Sequence, residues 1–224
     1  MQYKAPLSIM RLLLFATDMQ FFATFKKMTW PVLLLLWLFF IPLAALIYTS
    51  WSYPLNCHWN PRCEQLSMPK VEISSHELAS FFRHQLTTLP TPPWSEKELQ
   101  HLTEVRGIYD QVFWLFVAIT ALFILDLLIS KQVCRYRRYA IHSRNLMLGL
   151  LVLMLAISPF FRFFWMEVFH PLVFSNELWR TDPNDISWYL MPGNYFLRVI
   201  LFLLTSTLVL SQLLIFLLPK DKNR

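Results

Sequence analysis

Four stretches of this chain are each about as long and as apolar as a bilayer crossing demands, and nothing else in it constrains the fold more. A helix needs roughly 20 apolar residues to cross the hydrocarbon core of a membrane, and residues 31–50, 111–130, 146–163 and 195–218 meet that requirement. Backbone polar groups in hydrocarbon must be satisfied within the protein, and runs of this length do so as helices. The expected fold is therefore all-α, a polytopic membrane four-helix bundle over residues 28–218 with an extracytoplasmic cap formed by two loops, 51–110 and 164–194. Short strands around KVEIS, residues 70–74, stay open within the first loop. The chain is 56% hydrophobic and only 15% charged, outside soluble usage on both counts. The first span is followed by TSWSYPL without a small-x-small site, so it is not expected to be a cleaved signal.

Orientation follows from the basic residues, because short loops rich in Lys and Arg stay on the cytoplasmic side. Twelve of the 20 basic residues lie before residue 28, in the loop KQVCRYRRYAIHSR, or in the tail from Lys220. Both termini are therefore expected in the cytoplasm and both large loops outside. Residues 1–27 are expected to form a cytoplasmic amphipathic segment, and 219–224 a cytoplasmic tail. Within the former, IMRLLLFATDMQFFATF (9–25) is broken by Arg11, Asp18 and Gln20 and reads as an interfacial helix on the inner leaflet. The net charge of +6 is accounted for by a basic inner surface facing anionic phospholipid, so no nucleic acid is implied.

Cysteines divide by compartment. Cys57 and Cys63 bracket HWNPR in the first outer loop, where oxidation is permitted, and a local disulfide is the preferred reading. Zinc held by Cys57, His58 and Cys63 would need a fourth ligand and lacks the paired short spacings of such sites, so no metal is expected. Cys134, among arginines on the inner side, reads as a reduced thiol.

The first loop ends in PTPPWSEKELQHLTEVRGIYDQVFWLF. Ser95 with Glu98 makes a capping box after Pro92 and Pro93, and Trp94 with Leu99 a hydrophobic staple, so a helix begins at Ser95. Only Gly107 interrupts the pattern, and the same helix is expected to run into the second span, holding His101 near the outer surface. Glu104, at i+3, is placed to receive an imidazole N–H and leave the other nitrogen as an acceptor. The competing reading is a solvated helix face. His170 follows the third span closely, which puts it on the same side as His101. Its competing reading is the end of an interfacial segment, in which Trp165, Trp179, Trp188, Tyr189 and Tyr195 form an aromatic belt. Arg162 and Arg198, at outer span ends, either snorkel or hold a lipid phosphate or substrate carbonyl. Asp126, one turn from the cytoplasmic end of its span, is expected to pair with the basic loop.

The stretches WSEKELQHLTEVR and FHPLVFSNELWRTDPNDISWYLMPGNYF together resemble the Lit family, the lipoprotein intramolecular transacylases. There the first motif reads roughly His-Leu-x-Asp-Val-Lys/Arg. The second reads Phe-His-x-x-x-Phe, then Asn and Trp, then Asp-Pro-x-x-Asp and Pro-Glu-x-Phe. The matches here are His101, Leu102, Val105 and Arg106, then Phe169, His170, Phe174, Asn176, Trp179, Asp182, Pro183, Asp185 and Pro192. Glu104 stands in place of the family Asp and Gly193 in place of the family Glu, while the N-terminal segment and CHWNPRC look like additions. The resemblance spans roughly residues 28–218.

It implies an acyltransferase of the bacterial cytoplasmic membrane, working at the outer face, that moves the sn-2 acyl chain of a diacylglyceryl-cysteine lipoprotein onto its own α-amino group. The implied partners are that diacylated lipoprotein and membrane phospholipid, with no cofactor. His101 and His170 are the implied catalytic pair, one taking the amine proton and the other protonating the leaving glyceryl oxygen or bonding the oxyanion. Glu104, Arg106, Asn176, Trp179 and Asp185 are the implied supporting residues, Arg106 as a group polarising an ester oxygen. Two other classes compete. A quinone-linked thiol oxidoreductase using Cys57 and Cys63 would need a second outer cysteine pair, which the chain lacks. A non-catalytic membrane scaffold would bind a partner through both loops and carry the histidines incidentally.

Overall fold

The computed structural model describes residues 28–220. The expected interfacial helix of segment 1–27 lies outside them, as do residues 221–224. Among the described residues four helical stretches are long and apolar enough to cross a membrane: α1 (Met28–Ile47), α4 (Glu96–Ser130), the irregular rod Cys134–Val173, and α9 (Gly193–Leu217). The rod consists of α5 (Cys134–Ile157), a 3-10 turn (Ser158–Phe160), α6 (Phe161–Phe163), a π-helical turn (Phe164–Phe169) and α7 (His170–Val173). Pro159 explains the first irregularity, since it lacks an N–H and crowds the preceding turn.

α4 and the rod run well past the apolar stretches that reveal them in sequence, whereas α1 and α9 stay within a few residues of theirs. α4 is 35 residues long, about 52 Å at 1.5 Å per residue, against a hydrocarbon core of about 30 Å. It begins where the capping box places it: the Ser95 hydroxyl accepts the Glu98 N–H and the Glu98 carboxyl accepts the Ser95 N–H. Within the bilayer α4 meets α1 along one stripe. Trp37 stacks on Phe116 and donates its indole N–H to Thr120, while Trp30 packs on Phe123. Its remaining surface, including Leu122, Ile124, Leu125 and Leu128, is exposed, as suits a helix facing lipid tails. α5 and α9 pack along their lengths around Met147, Met154 and Leu204. At the end of the bundle away from the histidines Asp126 accepts the Tyr136 hydroxyl at 3.0 Å, so its partner is a residue of the basic segment, as the sequence suggests.

The two loops are not loose connections. The first folds into α2 (Ser52–Cys57), a 3-10 turn (Pro61–Gln65) and α3 (Met68–Phe82), and the second contains α8 (Ile186–Leu190). KVEIS lies inside α3, which overturns the strand reading. Val71, Ser75, Leu78 and Phe82 recur at helical spacing and are all buried, so burial along one face selects a helix where a five-residue window looks equally strand-like. Val71, Leu78 and Phe82 join Leu89, Trp94, Leu102, Ile186, Leu190 and Tyr195 in one core shared by the cap and the ends of the spans.

Cys57 and Cys63 are joined in a disulfide, which takes both sulfurs out of any metal chemistry. The turn it closes holds α8. Arg62, Asn60 and Asn56 donate to the carbonyls of Trp188, Tyr189 and Leu190, groups a helix end leaves without internal partners. Replacing Cys57 by Ser is expected to lower stability by about 2 kcal/mol, the loop-closure value for so short a ring. Thermal unfolding in detergent would show this as a lower Tm, and an unchanged Tm would mean the turn keeps its shape without the bridge.

Candidate active site

The site is assembled where α4 leaves the bundle, opposite α7 and the segment that follows it. His101 projects from the polar turns of α4 that precede its apolar stretch, and its side chain is 17% exposed. His170 opens α7, beyond the apolar part of its own rod, and is 7% exposed. Phe174 brings them together. Its ring meets His101 edge-on at 4.7 Å between centroids and lies at 30° to His170 at 5.9 Å.

Local structure fixes the His170 ring. In the π-helical turn the backbone N–H of His170 bonds the Trp165 carbonyl five residues back, and the imidazole Nδ1 lies 2.6 Å from that same oxygen. A carbonyl only accepts, so Nδ1 carries the proton and Nε2 is left with a free lone pair. Trp179, 6% exposed, stacks on the imidazole at 4.4 Å, and Trp165 meets it edge-on at 4.9 Å. Trp179 is thus a wall of the site and not part of a surface belt.

His101 is held less tightly. Its Nδ1 is 3.8 Å from Glu104 Oε2, too far for a hydrogen bond but close enough for a carboxylate to favour a proton on that nitrogen. Glu104 Oε1 instead accepts from the Asn176 amide at 2.7 Å, and the Asn176 carbonyl accepts the Trp179 indole N–H at 2.8 Å. Glu104, Asn176 and Trp179 therefore make a continuous link from one histidine to the other. Burial pushes the His101 imidazole down to about 4, with repulsion from His170 adding to the effect and Glu104 opposing it. Burial lowers His170 as well, against the bond to the Trp165 carbonyl. Both rings are neutral at physiological pH.

Asp185 supports the site from a distance. It is 2% exposed and accepts from Ser95 Oγ at 2.8 Å, Lys97 Nζ at 2.7 Å and the Asp182 N–H at 2.9 Å. Glu98 does the same one turn along: one oxygen accepts the Ser95 N–H, the other both the N–H and the hydroxyl of Ser187. The start of α4 and the second loop are thereby one unit, and His101 and His170 inherit that register. In sequence Glu98 is legible only as a capping residue. Its second oxygen is spent on a residue 89 positions away, and no local pattern announces that.

Arg106 is not aimed at the imidazoles. Its guanidinium lies 4.0 Å over the Phe81 ring and within 3.5 Å of the carbonyls of Phe81, Leu86 and Thr87, bracing the chain after α3. Arg198 is likewise committed, donating to the Asn56 side chain and the Trp59 carbonyl, whereas Arg162 stays exposed. A Cβ built on Gly193, at the start of α9, meets open space, so a side chain at this position would fit.

Four apolar helices under a packed cap, with neutral imidazoles at the junction, mark an integral membrane protein with a candidate site at one end of its bundle. The chain belongs to the Lit family: the model of the lipoprotein intramolecular transacylase Lit matches residues 28–196. Its fold is that of the membrane integral lipoprotein intramolecular transacylase Lit from Bacillus cereus. Against one structure of that protein the TM-score is 0.69 at 17% identity, covering 87% of this chain and 93% of the other. Against a form in which one histidine is replaced by alanine it is 0.70 at 20% identity, covering 92% and 94%. A form with arginine there gives 0.67 at 19% identity, covering 90% and 94%. No curated protein matches the sequence significantly. Family membership decides for an acyltransferase over a scaffold or a thiol oxidoreductase.

Proposed function

We propose that this enzyme transfers the sn-2 acyl chain of a diacylglyceryl-cysteine lipoprotein to that cysteine's own α-amino group, at the outer face of the bacterial cytoplasmic membrane with both termini inside. The product is a lyso-form lipoprotein acylated on nitrogen. The observation that carries the reading is the convergence of two neutral imidazoles on Phe174 at one end of the bundle. No nucleophilic Ser or Cys is required, because the substrate supplies both nucleophile and ester. They are joined through a ring of about eight atoms, so folding the head group into attack geometry supplies much of the rate.

The amine attacks the ester carbonyl as the free base, and attack makes its nitrogen strongly acidic. Even a weakly basic imidazole then accepts the proton. His101 takes it, since Glu104 stands beside it to stabilise the imidazolium, and passes it to the departing glyceryl oxygen. The Nε2 lone pair of His170 holds a second N–H of the amine, which turns the nitrogen lone pair toward the carbonyl. Asn176 and Trp179 keep the two rings in register. Arg106, given its contacts, acts by bracing the cap. Phospholipid surrounds the site, and the diacylglyceryl group reaches it from the bilayer.

Mass spectrometry of lipoprotein N-termini from cells with and without the intact protein tests this reading. The lyso, N-acylated form is expected only where the protein is present, and its equal appearance in both would defeat the proposal. The pH profile adds an independent check. An α-amino group ionises near 8, while His101 sits at about 4. The transfer rate in vesicles is therefore expected to fall below pH 8 with the amine, without a further step near 6.5, since both imidazoles are held below that value. A second inflection near 6.5 would mean that an exposed, ordinary imidazole does the work.

A further inference from the structure

We propose that Phe174 is a specificity-determining residue that keeps water from acting as the acyl acceptor between the two imidazoles, an inference that rests on the transacylase reading above. Phe174 is placed for this task. It stands directly after α7, where the backbone turns extended, and its N–H bonds the His170 carbonyl at 2.8 Å. The ring is half-buried and lies against both histidines. His101 Nδ1 is buried without a hydrogen-bond partner, and His170 Nε2 has its lone pair free. An N–H and a lone pair without partners, on two imidazoles that both meet the Phe174 ring, favour a water molecule wherever space allows, and the Phe174 ring takes up that space.

The competing reaction is balanced without any further reagent. A water oxygen bonds the ester carbonyl carbon, the bond from that carbon to the glyceryl oxygen breaks, and one water proton passes through an imidazole to the leaving oxygen. The products are a free fatty acid and a lyso-lipoprotein with an unmodified amine. The same imidazoles serve both nucleophiles, so discrimination has to come from exclusion. A tethered amine reaches the carbonyl over the edge of the ring, whereas water has to occupy the gap the ring fills. Replacing Phe by Ala opens room for about three waters at roughly 30 Å³ each.

The test uses the full-length enzyme in phospholipid vesicles with a synthetic diacylglyceryl-cysteine lipopeptide, scoring free fatty acid and N-acyl product together. For Phe174→Ala the ratio of free acid to N-acyl product is expected to rise at least 10-fold over the wild type, with Phe174→Leu in between. Total ester loss is scored beside it, and the ratio, not the total, reads the role of the ring. A purely structural role would lower both products together and leave the ratio unchanged, which overturns the inference while the transacylase reading stands. If the wild type itself forms no N-acyl product, the transacylase reading fails and this inference falls with it. Unfolding of the Ala variant is recognised by loss of both products, and the ratio in the Leu variant then decides.

Discussion

Replacing His101 or His170 by alanine is expected to lower N-acyl product formation by about 10³-fold, within the range set by loss of a positioned acid–base group, while the protein remains in the membrane at its normal level. The structure explains why folding should survive. At position 170 the Trp165 carbonyl still receives the backbone N–H, so the π-helical turn keeps its internal bond when the imidazole goes. At position 101 the side chain is bonded to nothing within hydrogen-bond distance, and Glu104 keeps its tie to Asn176. His101→Gln and His170→Asn, which keep polar bulk but no imidazole, should be as inactive as the alanine variants. Near-wild-type product from either histidine variant, at equal protein level, would remove that ring from the mechanism.

Glu98→Ala should produce the largest loss of stability in the cap without touching an imidazole. The carboxyl is 3% exposed and answers three donors: the Ser95 N–H, the Ser187 N–H and the Ser187 hydroxyl. Each buried donor left unpaired costs on the order of 1–3 kcal/mol, and the hydroxyl can turn elsewhere, so a total of about 4 kcal/mol is expected. Glutamine should not rescue it, because one of its two terminal atoms is an amide NH2, a donor facing an N–H where an acceptor is needed. The cost falls on the joint between α4 and the second loop, so activity should fall together with the unfolding temperature and recover in part at low temperature. Protease cleavage within residues 174–185, appearing in the variant before global unfolding, would report that joint opening. A variant as stable and as protease-resistant as wild type would show the joint to be held by Lys97, Asp182 and Asp185 alone.

The cap's disulfide and the Glu98 joint act on opposite ends of α8. Glu98 holds Ser187 in its first turn, while the Cys57–Cys63 turn answers the carbonyls of Trp188 and Tyr189, and Asn56 just before it answers Leu190, in its last. A five-residue helix is too short to persist alone in water. Its shape is imposed from both sides by segments of the first loop, which is how two loops far apart in sequence make one rigid roof over the spans.

Much of this was legible in the chain itself. Four apolar stretches of crossing length give four long helices, because hydrocarbon leaves the backbone no other partner. Ser95 and Glu98 fix the first turn of α4, because a capping box is a contact between residues three apart. From these two local rules follows the placement of His101 and His170 at a common end, and the motif residues around them identify the family. What only the tertiary structure decided is how each polar side chain is used. Arg106, a site residue by motif, braces the chain after α3. Glu98, a cap by spacing, also grips Ser187. Glu104, expected to orient His101 directly, spends its bond on Asn176, and KVEIS, ambiguous as five residues, becomes a buried helix face. Helix starts and spans are set by neighbours within a turn or by the solvent, so sequence reports them. The partner of a buried carboxyl or guanidinium is set by whatever the remote chain brings within about 3 Å, and only the folded molecule contains that distance.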